Sequence, residues 1–176
     1  MEGGIFMDYS VPKELITRYN FNLAAMDEAG KLELYESYNV PNKLEIEWAR
    51  EVIDSNINLI SVNNSAIVIQ SLIGKIYDIS FYITDEQIVK LYDEIFKKVS
   101  SLEFDIESWC YGILYNIMLP NLSADKPQLI DILKKVSNRY KDMINNIDNV
   151  SYRDSERQKQ INSVKFYDDL IEKYHR

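Results

Sequence analysis

One thiol and one imidazole are all that this chain offers for nucleophilic or acid–base chemistry at neutral pH, Cys110 and His175. A cysteine nucleophile needs a base within hydrogen-bond reach, and no histidine lies near Cys110 in sequence. Cys110 stands inside the apolar run at residues 105–120, DIESWCYGILYNIMLP. There a thiol usually serves as a small hydrophobe. Glu172 and His175 form one Glu-x-x-His, the spacing used by di-iron bundles, but those sites need two copies projecting inward. With a single histidine in the chain, the match reads as coincidence. The acid pairs Asp85/Glu86, Asp93/Glu94 and Asp168/Asp169 are adjacent residues, which point in different directions on a helix. No loop matches the calcium pattern with its glycine, no Gly-x-Ser-x-Gly is present, and Gly3-Gly4 is the only adjacent glycine pair. Two carboxylates would suffice for a glycosidase, but a small helical chain offers no evident cleft to hold them. The expectation is a protein without catalysis, metal or cofactor.

Charge is the remaining signal. The net charge is −8, and it is unevenly spread. Residues 1–60 carry 11 acids against 5 bases, and residues 61–120 carry 8 against 4. Residues 121–176 carry 9 acids against 11 bases. An acidic field over the first two-thirds repels nucleic acid and anionic membrane and favours a basic protein partner. The C-terminal bases Lys134, Lys135, Arg139, Lys141, Arg153, Arg157, Lys159 and Lys165 are matched nearly one for one by acids, which reads as a solvated face. Of the 13 tyrosines, most fall on apolar stripes. Tyr9, Tyr35, Tyr38 and Tyr82 stand beside acids or loops, where a ring adds contact area at low entropy cost. The candidate contact residues are Asp27, Glu28, Glu33, Tyr35, Glu36, Tyr38, Glu45, Glu47, Glu51, Asp54, Asp85 and Glu86.

These features suggest a binding module of the immunity-protein type, which covers the cationic surface of a nuclease-like toxin by steric and electrostatic occlusion. Two other readings stand beside it. One is a helical adaptor or scaffold that binds a peptide; the other is an acidic nucleic-acid mimic. Nothing fixes the oligomeric state.

The elements that must position such a surface are helical. Five glycines and four prolines are too few for the turns of a β-sandwich or barrel. The spacing at residues 105–120 predicts a helix apolar on nearly every side, capped by Asp105, stopped by Pro120 and surrounded by other elements. Gly112 within it suggests a close-packed neighbour. A short helix follows Ser10. Residues 21–38 read as one or two helices, with a β-hairpin about DEAG as the alternative. Asn42 and Glu45 suggest a capped start to an amphipathic helix with Trp48, Val52, Ile53, Ile57 and Ile60 inward. Residues 66–77 read as helix, although AIVIQ also suits a strand. Thr84 and Gln87 form a capping box before Ile88, Leu91, Tyr92, Ile95, Phe96 and Val99. Pro127 opens a long helix whose stripe runs to Ile147, and after a loop near 149–154 a last helix carries Ile161, Val164, Tyr167, Leu170, Ile171 and Tyr174.

Starts near residues 10, 42, 84 and 123 divide the chain into four helical pairs. The expected fold is all-α, an irregular bundle or a short α-solenoid of about four hairpins in one domain, with residues 1–9 a loose lead-in. Cys110 excludes an internal disulfide, residues 1–8 lack the basic start and apolar run of a signal peptide, and no apolar run reaches membrane length. The expected setting is a reducing cytoplasm.

Overall fold

Local signals place most helix ends in the computed structural model, which describes residues 8–99, 104–145 and 154–175. The expected lead-in falls mostly outside these residues, as do Ile147 and nearly all of the loop near 149–154. Nine helices and two short 3-10 turns, at residues 80–82 and 119–121, account for the described chain, and no strand occurs among them.

Helix α1 is Ser10–Arg18, and the Asp8 carboxylate accepts from its first amide at 2.9 Å. Helices α2, Leu23–Glu28, and α3, Leu32–Glu36, take the place of the alternative hairpin. Gly30 decides this, because its φ of +65° lets it end α2 in a Schellman motif. Gly30 N–H donates to Asp27 O and Lys31 N–H to Met26 O, both at 2.8 Å. Asn22, whose side chain accepts from Ala25 N–H, caps the start of α2.

Helix α4, Asn42–Val62, begins one residue earlier than the expected cap allows, with Pro41 at the capping position and no side-chain cap. That start puts Asn42 and Glu45 one position too far along for a box, and the Glu45 carboxylate accepts instead from the Tyr35 hydroxyl. Helix α5, Ala66–Asp78, includes the β-branched AIVIQ. It buries Ile69, Leu72, Ile73 and Ile76, whereas Tyr77 faces outward. At α6, Asp85–Val99, the capping box forms as read. Thr84 N–H donates to Gln87 Oε1 at 3.1 Å, and Gln87 N–H donates to Thr84 Oγ1 at 3.2 Å. Gln87 Nε2 also donates to Arg50 O at 3.0 Å, which ties α6 to α4.

Helix α7, Phe104–Met118, already includes Asp105, and the chain continues through Pro120 in a 3-10 turn. Cys110, Tyr111, Leu114, Ile117 and Met118 are buried. The helix is not surrounded, however: Trp109 is 38% exposed and Gly112 is exposed with nothing within 4 Å of a Cβ built on it. Among the described residues, the close neighbour expected at Gly112 is absent. Helix α8, Pro127–Asn145, buries Leu129, Ile130, Ile132, Leu133, Val136 and Tyr140. Helix α9, Asp154–His175, turns Ile161 outward and buries Gln160 and Tyr167 instead.

The three later hairpins, α4/α5, α6/α7 and α8/α9, stack in chain order, with α4 on α6, α6 on α8, and α5 on α7. Their interior is one apolar cluster that runs from Ile53 to Tyr167. It carries an aromatic chain through four helices: Phe96 to Tyr111 at 5.7 Å, Tyr111 to Tyr140 at 5.6 Å, and Tyr140 to Tyr167 at 6.0 Å between ring centroids. Each fully buried side chain of this size contributes about 1.5–3 kcal/mol. Helices α1 to α3 close a separate small core of Ile16, Met26, Tyr35 and Trp48 against the start of α4.

Candidate partner-binding surface

The dozen residues singled out from the sequence separate into three groups. The first consists of acids already paired within the fold. Glu51 meets Lys13 at 2.6 Å, Glu47 meets Lys43 at 3.8 Å, Asp54 meets Lys90 at 4.0 Å and Asp85 meets Lys126 at 2.9 Å. Half-exposed pairs of this kind stabilise by less than about 1 kcal/mol. They nonetheless cancel much of the field that an α4–α6 face would have projected.

The second group is structural. Tyr35 is 5% exposed, which corrects its assignment to the surface. Its ring fills the small core between α1 and α4, and its hydroxyl donates to Glu45. Burial, and then that hydrogen bond, push the Tyr35 pKa well above the ordinary tyrosine value. The phenol therefore stays protonated and fastens α3 to α4. Glu45 is half-buried as the acceptor, and Tyr38 is half-buried.

The third group remains as a surface. Asp27 and Glu28 end α2, Glu33 and Glu36 lie on α3, and all four are exposed. No ion pair joins them to a described residue, and the same holds for exposed Glu86 on α6. Helices α2 and α3 pack against each other, so the four acids share one small unit, with Lys31 the only base between them. Leu23 and Leu34, 48% and 46% exposed, supply apolar area on the same two helices.

The strongest charged interaction in the described chain lies outside the residues singled out from the sequence. Glu107 is 1% exposed and accepts from Arg139 Nε at 2.7 Å and Nη2 at 3.1 Å, a two-pronged pair between α7 and α8. The Tyr111 hydroxyl donates to the same carboxylate at 2.7 Å. Three charge-assisted bonds satisfy most of what burial takes from Glu107. One signal was available in the sequence: an acid inside an otherwise apolar helical run needs a partner.

Those bonds fill three of the roughly four acceptor positions of the carboxylate. Cys110, one turn from it, is fully buried; burial and the Glu107 charge push its thiol up to about 12, so the thiolate is disfavoured at neutral pH. Among the described residues, no group of three or more His, Cys, Asp and Glu side chains could hold a metal ion. No helix among them is long and apolar enough to cross a membrane. The His175 side chain lies outside the described set, so its pairing with Glu172 is not placed. Compared with known proteins, the chain matches no family model, no curated protein and no solved structure.

Proposed function

We propose that this protein is a cofactor-free binding module whose α2–α3 unit engages a basic protein, in the manner of an immunity protein that covers a nuclease-like toxin. One observation carries the reading: Asp27, Glu28, Glu33 and Glu36 are exposed and form no ion pair with a described residue, in a chain that pairs most of its candidate α4 and α6 acids internally. Helix energetics support it. Asp27, Glu28 and Glu36 stand at the C-terminal ends of short helices with no basic residue in the last turn. Acids there oppose the helix dipole, at a cost of roughly 0.3–1 kcal/mol each. Acids placed against local stability fit a role in steering and docking a cation-rich partner.

The test is co-expression with the protein encoded beside this one. The expected result is that the neighbour is toxic alone, is tolerated with this chain, and becomes toxic again with the fourfold variant Asp27→Lys, Glu28→Lys, Glu33→Lys and Glu36→Lys. Full protection by that variant would remove the α2–α3 surface from the interface. A second reading, a peptide-binding adaptor, draws support from exposed apolar side chains on the stacked hairpins: Val62, Ile67 and Phe81 are 74%, 78% and 75% exposed. Binding through those side chains would be nearly indifferent to salt.

A further inference from the structure

A groove of about 480 Å³ opens between α7 and α9, over the Tyr140 ring of α8. Its volume falls in the range of small-molecule sites, and its residues take no part in the acidic surface. Two features of it bear on what it could hold.

Gly112 lines the groove, and no described residue approaches where its Cβ would be. Packing therefore does not require the glycine, although glycine weakens a helix interior. What its absence of side chain provides is a flat strip of helix backbone that a ligand can approach closely. Ser108, one turn earlier on the same face, keeps its Oγ buried beside the Tyr140 phenol, out of reach from the groove. Lys159 is the only charged side chain among the described residues that line the groove, is exposed, and forms no ion pair with a described residue.

The walls are aromatic. Phe166 is 44% exposed, and Tyr115 holds it edge-on at 5.1 Å between ring centroids. Tyr167 lies beside it at 5.3 Å.

We infer that this groove is a binding site for a small planar aromatic acid. Its ring lies on the Gly112 backbone against Phe166, and its carboxylate faces Lys159. A planar ring uses the flat floor, and a negative charge suits the one cation among the described lining residues.

Amide NMR titration with indole-3-carboxylate, neutral indole and tryptamine tests the site. The expected result is saturable shifts confined to amides of α7 and α9 around residues 108–112 and 159–167. The acid should bind tighter than indole by up to about fivefold, the limit for an exposed charge pair, and tryptamine weakest. Lys159→Gln should make the acid and indole bind alike. Gly112→Leu should abolish the shifts while the melting transition persists; if that variant does not fold, Phe166→Ala, which removes a half-exposed ring, should weaken all three probes. Absence of saturable shifts at millimolar probe, equal binding of acid and amine, or unchanged binding in the folded Gly112→Leu or Phe166→Ala variant would overturn the assignment. None of these results depends on whether the α2–α3 surface binds a basic protein.

Discussion

At Glu107 one carboxylate holds two helices and a tyrosine. Its importance lies less in the attraction itself than in the penalty for losing one partner. Arg139→Met would leave a carboxylate 1% exposed without its counter-charge, held by the Tyr111 hydroxyl alone. Breaking a buried pair costs about 3–5 kcal/mol, and partial exposure of Arg139 brings the expectation to about 2–3 kcal/mol. Urea unfolding of Arg139→Met and of the double variant Glu107→Leu/Arg139→Met checks this: the double variant should recover much of the loss. Gly112 makes the opposite case. With no described residue within 4 Å of its would-be Cβ, Gly112→Ala should stabilise α7 by about 0.5–1 kcal/mol, read as a higher urea midpoint at unchanged slope. Neither residue could be assigned from sequence alone. The apolar run around them was legible, but whether a helix face meets a neighbour or solvent depends on contacts that lie far along the chain.

Between elements, Asp168 shows how α9 is held. Burial by itself would raise its carboxyl; the Ser137 hydroxyl at 2.6 Å and the Lys141 ammonium at 3.0 Å outweigh that and hold it below the ordinary carboxylate value. A carboxyl depressed on folding adds stability above its unfolded pKa, about 3.9, and loses it as the pH falls through the lower folded value. The stability advantage of the wild type over Asp168→Asn should therefore be present at pH 7 and close progressively below about pH 4. Because the group is 43% exposed, the gap should be under about 1 kcal/mol. Equilibrium unfolding at pH 7, 5 and 3 measures it. Element boundaries were the most legible level. The Thr84–Gln87 box, the Pro127 start and the break at Gly30 all stem from backbone chemistry within a few residues. The Asn42–Glu45 box is missing because α4 starts one residue early, with Pro41 at the cap.

Over the whole molecule, charge distribution rather than net charge governs the proposed recognition. Glu47, Glu51, Asp54 and Asp85 spend their field on neighbouring lysines, whereas the α2–α3 acids project theirs into solvent. Association with a basic partner should therefore slow steeply as ionic strength rises from low salt to the physiological range, where screening acts within about 8 Å. Reversing Asp27, Glu28, Glu33 and Glu36 should slow it far more than reversing Glu47 and Glu51. Stopped-flow or interferometric on-rates across a salt series distinguish the two. Equal effects would spread the interface over α4.

The sequence by itself determined that the chain is helical, where most helices begin, and which side of each is largely apolar. Those properties depend on residues three or four positions apart, and three or four positions is the reach of a helical turn. Only the tertiary structure decided which acids are neutralised, that Tyr35 is core, that Glu107 has a partner 32 residues away, and that Gly112 opens onto a groove. Each of those depends on what a distant segment brings within a few ångströms, and pairing at that separation leaves no periodic trace in the chain.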